Sequence, residues 1–167
     1  EMRGNFKTGS DFLFNSGNDA RKILMQGRAM MVLLGIALGV LVYIWSAELF
    51  GRAGGLLSLT LYCFSPAILA HTQLATSDLT VALFFTLSTW CVWKLLHRVT
   101  VTAVMGTALA IGALLVSKMS GLLLLPMAAI LMIIRLISSE PVIISFGEPK
   151  SITSRSKRMM VFFVLLL

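Results

Sequence analysis

The sequence predicts an all-α protein, a polytopic bundle of transmembrane helices with an interfacial amphipathic helix in front of it. Of its 167 residues, 57% are hydrophobic and only 13% are charged, and the mean hydropathy is +0.92. Soluble domains are typically about 45–50% apolar and about 25% charged, and a soluble fold of this length buries too little volume for such an excess. Lipid is therefore the expected environment.

Short polar connections such as GRAGG and SKMSG separate five apolar runs that are predicted to be spans: 29–50, 56–70, 79–96, 99–116 and 122–137. Short connections force neighbouring helices to run antiparallel, so the segment 29–137 is predicted to be one five-span bundle. Residues 1–28 are predicted to form an outer-face loop and the interfacial helix, and residues 138–158 a basic cytoplasmic loop. Residues 159–167 resemble the start of a truncated transmembrane helix, which indicates a fragment.

The interfacial helix is predicted from the string DARKILMQGR, residues 19–28, in which basic and apolar side chains fall on different faces. Asn18 is its predicted N-cap. Apolar side chains would then face lipid, while the basic side chains Arg21, Lys22 and Arg28 meet lipid headgroups.

The net charge is +7, but the basic residues separate apolar runs instead of covering one solvated face. Nucleic-acid binders require such a face, so membrane lipid is an expected partner and nucleic acid is not. One side of the predicted spans collects most Lys and Arg, namely Arg52, Lys94, Arg98, Arg135, Lys150, Arg155, Lys157 and Arg158. The opposite side has six, Arg3, Lys7, Arg21, Lys22, Arg28 and Lys118, but five of them precede the first span, so between spans it has only Lys118. The positive-inside rule therefore predicts that the first side is cytoplasmic.

Polar side chains cluster between the second and third predicted spans, at His71, Gln73, Thr76, Ser77 and Asp78. The predicted topology places this cluster on the outer side. Two interpretations of Asp78 stay open. An acidic residue at a helix N-terminus is favoured by the helix dipole, and Thr76 or Ser77 is a suitable N-cap. Alternatively, Asp78 organises a polar site at the membrane surface, and His71 is either part of that site or structural.

Two further cations near the spans also have two interpretations each. Lys118 and Arg28 either extend to the interface or contact a phosphate, for which an ammonium or guanidinium group is suitable. Glu48 is predicted to pair with Arg52 one helical turn later. The two cysteines lie in apolar runs with neither disulfide nor metal-site spacing.

Glycine and proline positions predict how the spans pack. Gly35 and Gly39 have the GxxxG spacing that permits close helix approach. Pro66 and Pro126 lie within predicted spans and are expected to kink them.

Two strings carry a resemblance to a known family. LYCFSPAILAHTQLATSDLTVALFF, followed by GALLVSKMSGLLLLP, resembles the lipid-phosphate-dependent glycosyltransferases of the GT-C superfamily. The chain is most similar to bacterial relatives of the protein O-mannosyltransferases (glycosyltransferase family 39) and of the aminoarabinose transferase that modifies lipid A. The shared pattern covers roughly residues 20–135: an Arg before a span, Ser-Pro and Ala-His in the next, an Asp opening the one after it, and a later Lys.

The resemblance implies an inverting sugar transfer from a polyprenyl-phosphate donor to an acceptor on the outer face. It makes Asp78 the catalytic candidate of the second outer loop and His71, Gln73, Arg28 and Lys118 the substrate-binding candidates, with the two cations holding the leaving phosphate. The family's usual general base lies in the first outer loop, which is expected upstream of residue 1. Eukaryotic mannosyltransferases carry Arg at the position of Gln73, so this departure leaves the sugar and acceptor open.

The expected partners are a polyprenyl-phosphate sugar donor and a protein, lipid or glycan acceptor. The expected location is the bacterial cytoplasmic membrane, with the active face outward. No cofactor is indicated, and a divalent metal stays open. The alternative functions are a transporter subunit and a non-catalytic membrane assembly protein. Transporters usually place ionisable groups near the midplane, whereas these polar groups cluster at one surface.

Overall fold

The computed structural model of the chain describes residues 7–15, 17–74, 76–138, 142–145 and 150–152. Its elements follow in the order α1 (Ala20–Cys63), α2 (Pro66–Thr72), α3 (Asp78–His97), β1 (Arg98–Thr100), α4 (Val101–Ser117), α5 (Leu124–Ile137), β2 (Val142–Ser145) and β3 (Lys150–Ile152). A short π-helical segment, Asp11–Asn15, precedes α1, and a 3₁₀ segment, Met119–Leu123, leads into α5.

Three helical runs of the described chain are long and apolar enough to cross a membrane, namely Ala20–Cys63, Asp78–His97 and Met119–Ile137. Helix α4 is a shorter apolar helix of 17 residues. The predicted α-helical membrane bundle is thereby confirmed. The count of five crossings stays a prediction.

Helix α1 is a hairpin of two arms, residues 20–50 and 52–63, with the reversal at Gly51. Its backbone has φ 75° and ψ 178°, a combination that essentially only glycine adopts. The predicted GRAGG connection is therefore a turn at one residue, with helix resuming at once on the other side.

Contacts between the arms show that they run antiparallel. The Tyr62 hydroxyl donates to the Gly35 carbonyl at 2.7 Å, and the hydroxyl oxygens of Ser46 and Ser58 are 2.7 Å apart. A Cβ atom at Gly39 would lie only 3.0 Å from the Tyr62 ring. Both glycines of the predicted GxxxG pattern thus allow close helix approach, as expected.

The start of α1 differs from the prediction in two ways. The N-cap is Asp19, whose carboxylate accepts from the Lys22 backbone N–H at 3.1 Å, while Asn18 donates to the Phe12 carbonyl. Helix then continues unbroken from Ala20 through the first arm. The amphipathic string therefore forms the first turns of a long helix that continues into the first arm, because nothing in it breaks the helical hydrogen-bond ladder. Its position at the membrane interface stays a prediction.

Both proline positions mark irregularities. Ser65 has an extended backbone, φ −72° and ψ 116°, and Pro66 begins α2, so the second predicted span is broken there as expected. Pro126 is the third residue of α5, directly after the 3₁₀ segment. The irregularity predicted for this span therefore lies at its start.

Helix α3 is central and packs against α1, α4 and α5. One apolar core cluster joins α1 to the first half of α3 through Leu38, Leu41, Leu79 and Leu83. A second cluster lies at the other end of α3 and consists of Leu95, Leu96, Val99 and Val142.

A small sheet, absent from the sequence prediction, belongs to this second cluster. Strand β1 pairs parallel with β2, Arg98 opposite Ile143, and β2 pairs antiparallel with β3. The β-branched string VIIS favours a strand, and Val142 and Val99 are almost fully buried. The fourth predicted span therefore begins as helix only at Val101. Residues 153–167, including the predicted truncated helix, lie outside the described residues.

Candidate functional site

An ion pair joins the start of α3 to the end of α4. Asp78 is the first residue of α3, and Lys118 follows the last residue of α4. The Lys118 Nζ atom lies 2.9 Å from Asp78 Oδ1. The two helices run antiparallel, which brings these residues to the same end of the bundle. About half of each side chain is exposed, 49% for Lys118 and 47% for Asp78, so both groups are accessible to a ligand.

His71 approaches the same carboxylate from α2. Its Nδ1 atom lies 3.9 Å from Asp78 Oδ2, which is close enough for electrostatic attraction but too far for a hydrogen bond. His71 Nδ1 and Thr76 Oγ1 are buried atoms with no hydrogen-bond partner among the described residues. Buried polar atoms are usually hydrogen-bonded, so these two leave hydrogen-bonding capacity unused beside the Asp78 carboxylate.

The hydrogen bonds at the start of α3 differ from those that the capping interpretation of Asp78 predicts. Ser77 is the N-cap residue of α3 by position, yet its side chain makes no capping hydrogen bond, and Thr76 makes none either. The Asp78 carboxylate bonds to an ammonium group on another helix. The helix dipole still favours an acid at this position, but the observed partner is Lys118.

Two further candidates stand apart from this group. Gln73 directly follows the last residue of α2 and is exposed. Arg28 lies on α1, two turns before Gly35, which packs against Thr72. Seven residues of helix place Arg28 about 10 Å further along the axis. Among the described residues, neither side chain forms a hydrogen bond or ion pair with Asp78. The structure therefore brings together His71, Asp78 and Lys118 at one end of the bundle, which we call the Asp78 end.

Sequence reasoning missed a second ion pair at the opposite end of α3. Glu48 Oε1 lies 3.0 Å from Lys94 Nζ, and Glu48 Oε2 accepts from Trp90 Nε1 at 2.9 Å. The Lys94 ammonium also lies 3.8 Å from the centre of the Trp90 ring. We call the end of the bundle that these three residues occupy the Glu48 end. Trp90 and Lys94 are one helical turn apart, which is the only signal of this site that the sequence offers.

The predicted pair of Glu48 with Arg52 is wrong. It required an uninterrupted helix, but the chain reverses at Gly51 and carries Arg52 away from Glu48. Counting along α3 from Asp78 to Lys94, the two ends are about 24 Å apart. They are therefore independent sites.

The structure shows no metal-binding site in the part of the chain that it describes. No group of three or more His, Cys, Asp or Glu side chains there could hold a metal ion. The divalent metal that the sequence left open therefore has no assigned ligands. What the Asp78 end does offer is a half-exposed cation, held by a carboxylate, next to two unpartnered polar atoms.

Most of the chain is similar to one known protein family. Residues 21–146 match the model of a family described as dolichyl-phosphate-mannose-protein mannosyltransferase. No curated protein and no solved structure matches significantly. The family match covers α2, α3, α4 and α5, and thus every residue of the Asp78 end.

Proposed function

The chain belongs to the dolichyl-phosphate-mannose-protein mannosyltransferase family and is a membrane glycosyltransferase, and we propose that its sugar transfer takes place at the Asp78 end. The family match confirms the resemblance seen in the sequence. The proposed donor is a polyprenyl-phosphate sugar and the proposed acceptor a hydroxyl group of a protein, lipid or glycan. The observation that carries the proposal is the Lys118 ammonium, bound to Asp78 yet half exposed.

Lys118 is proposed to bind the donor phosphate. In the reaction, the acceptor oxygen bonds to the anomeric carbon and gives up its proton, while the bond between that carbon and the phosphate oxygen breaks and the phosphate leaves with the electron pair. A positioned cation stabilises that developing negative charge more in the transition state than in the ground state. Lys118 is suited to this task because its ammonium group is fixed in place and still has donors free for a second oxygen anion.

Asp78 is proposed to act through Lys118. Its carboxylate is already charge-paired, so taking a proton from the acceptor would sacrifice this ion pair. Holding the lysine in position requires no such loss. Asp78 is therefore assigned as a positioning residue, and no described residue is assigned as the base that removes the acceptor proton.

His71 and Thr76 are proposed to contact the sugar. Both present a buried, unpartnered polar atom close to Asp78 along the chain or in space. A sugar hydroxyl both donates and accepts hydrogen bonds, so it satisfies either atom. Gln73 and Arg28 stay candidates for binding the acceptor or the lipid headgroups, since both side chains are exposed.

An apolar cavity of about 210 Å³ supports a lipid-linked donor. It is lined by residues of α3, α4 and α5 and includes Gly121, whose backbone N–H bonds to the Lys118 carbonyl. A phosphate on the Lys118 side chain would therefore have an apolar surface beside it. This is the arrangement that a phosphate attached to a long isoprenoid chain requires.

The orientation of the bundle is part of the proposal. Arg52, Lys94 and Arg98 lie at or near the Glu48 end, and the positive-inside rule assigns that end to the cytoplasm. The Asp78 end then faces outward. In the described helices, ionisable side chains lie near helix ends and not at mid-span, which favours this function over transport.

The test compares the two lysines that bind carboxylates across helices. Lys118→Gln and Lys94→Gln each remove one ammonium group, and the wild-type exposures of the two residues are similar, 49% and 43%. Transfer is measured in membranes containing equal amounts of each protein with a polyprenyl-phosphate sugar donor. We expect Lys118→Gln to lower transfer by about 10²-fold or more and Lys94→Gln to leave it within a few-fold of wild type. Equal losses in both variants would contradict the proposal.

A further inference from the structure

A groove at the Glu48 end is not used by the proposed transfer reaction. It lies between the last turns of α3 and the first turns of α4 and has a volume of about 540 Å³. Its lining combines basic, hydroxyl and aromatic side chains with one position that has no side chain. Its lining includes Trp90, Trp93, Arg98, Thr100, Thr102 and Gly106.

Strand geometry places two of the polar groups together. Successive side chains of a strand point to opposite faces, so Arg98 and Thr100 share one face of β1, and Val99 occupies the other. Val99 is 2% exposed and belongs to the core, which fixes the orientation of the strand. Arg98 is exposed and forms no ion pair among the described residues. Within the described part of the chain, its guanidinium group is thus a cation at the groove without a counterion.

The two threonines leave one hydroxyl proton for a ligand. Thr100 Oγ1 accepts from the Ala103 backbone N–H, and the Thr100 and Thr102 oxygens are 3.1 Å apart. Whichever hydroxyl donates within this pair, the other keeps its proton. One donor is therefore available beside Arg98, and both groups suit an anionic oxygen.

The other basic side chains of the groove are already engaged. Lys94 is neutralised by Glu48. His97 Nδ1 bonds to the Trp93 carbonyl at 2.8 Å, and the two rings pack with centroids 4.5 Å apart. These contacts hold Trp93 and Trp90 as rigid aromatic walls, and such rings are typical of the headgroup level of a membrane.

Gly106 opens the apolar side of the groove. A Cβ atom built at this position meets no other atom within 4 Å. The position lies one turn and a half into α4, on the membrane side of the threonines. A hydrocarbon chain can therefore continue from the polar groups along the helix surface.

We propose that this groove binds an anionic phospholipid, with the headgroup phosphate on Arg98 and the free threonine hydroxyl. Guanidinium groups bind phosphate oxygens in a two-pronged geometry, and basic pockets between helices on the cytoplasmic side of membrane proteins bind such headgroups. The Trp rings contact the glycerol region, and one acyl chain passes Gly106. The site is independent of the donor site, from which the length of α3 separates it.

The test uses the tryptophans of the groove as reporters. The protein has three tryptophans, and Trp45→Phe leaves only Trp90 and Trp93. The protein is reconstituted into phosphatidylcholine vesicles with increasing fractions of brominated phosphatidylglycerol or brominated phosphatidylcholine. We expect fluorescence quenching to show about a fivefold preference for the anionic lipid, the scale of one basic residue near a headgroup.

Matched variants distinguish lipid binding in the groove from attraction of the lipid by general surface charge. Arg98→Gln is expected to abolish the preference and Arg52→Gln, which removes the same charge near the same end but outside the groove, to keep it. Gly106→Leu is expected to block the lipid, whereas Gly112→Leu, on the same helix and equally open, is not. Equal quenching by both lipids would overturn the proposal. So would equal effects of the two arginine variants, or displacement of the lipid by millimolar inorganic phosphate alone.

Discussion

The Nζ atom of Lys118 lies 2.9 Å from Oδ1 of Asp78, a residue 40 positions earlier in the chain. This ion pair connects α3 to the end of α4, and a second carboxylate–lysine pair connects α3 to α1 at the Glu48 end. The two pairs differ in their surroundings. The His71 Nδ1 and Thr76 Oγ1 atoms, which have no hydrogen-bond partner among the described residues, lie at the Asp78 end. At the Glu48 end, the Trp90 indole N–H donates a hydrogen bond to the Glu48 carboxylate. This difference is the reason that we propose the Asp78 end for binding and catalysis.

If Asp78 acts through Lys118, their variants will not be additive. Asp78→Asn keeps the size of the side chain and the N-terminal helix position but removes the charge that holds the lysine. We expect transfer to fall by about 10-fold to 10²-fold, with normal membrane insertion and thermal stability. The double variant with Lys118→Gln should be no worse than Lys118→Gln alone.

The measurement is the transfer rate of the two single variants and the double variant in membranes that contain equal amounts of each protein. Asp78→Glu serves as the control, because it restores a carboxylate and should recover part of the loss. Full activity of Asp78→Asn would reduce the residue to a helix-dipole role. Multiplicative losses in the double variant would show that Asp78 contacts the substrate independently.

The orientation predicts a labelling pattern. In a protein with Cys63 and Cys91 replaced by Ser, Gln73→Cys lies at the Asp78 end and Arg52→Cys at the hairpin turn near the Glu48 end. An impermeant thiol reagent should label Gln73→Cys in intact cells and Arg52→Cys only after permeabilisation. The reverse pattern would place the Asp78 end in the cytoplasm and refute the outward-facing site.

The hairpin turn predicts a conformational requirement for glycine. Gly51→Ala adds a Cβ atom that meets no neighbour, so its cost comes only from the backbone, φ 75° and ψ 178°. We expect a loss of about 1–3 kcal/mol in the free energy of unfolding, measured in detergent. Gly112→Ala is the control, because it is also open but lies inside α4, where Ala should be neutral or stabilising. Equal stability of both variants would show that the turn tolerates any residue.

The hydrogen bond between the hairpin arms predicts an effect of one hydroxyl group. Tyr62→Phe removes the donor to the Gly35 carbonyl and should lower the free energy of unfolding by about 0.5–1.5 kcal/mol. Tyr43→Phe removes a hydroxyl from the other arm that has no hydrogen-bond partner in the described part of the chain. Its effect should be smaller. If the two phenylalanine variants unfold alike, the Tyr62 bond does not stabilise the hairpin.

Local composition determined the class of this protein and the position of its polar cluster. Apolar runs must be helical in lipid, since only helices or closed barrels satisfy the backbone there. The string from His71 to Asp78 could be identified as polar, and Pro66 as a break, because both depend on neighbouring residues alone. The family resemblance, which the match over residues 21–146 confirmed, likewise rested on the order of residues.

Only the tertiary structure decided which charged groups meet. Hydropathy does not specify the rotation of a helix about its axis, and therefore does not specify which side chains of different helices meet. The sequence accordingly predicted that Glu48 pairs with Arg52, its neighbour along the chain. The reversal at Gly51 and the packing of α1 on α3 give Glu48 to Lys94 instead. The Asp78 to Lys118 pair and the sheet of β1, β2 and β3 depend in the same way on residues distant in sequence. Such contacts follow from how antiparallel helices align, which no local pattern records.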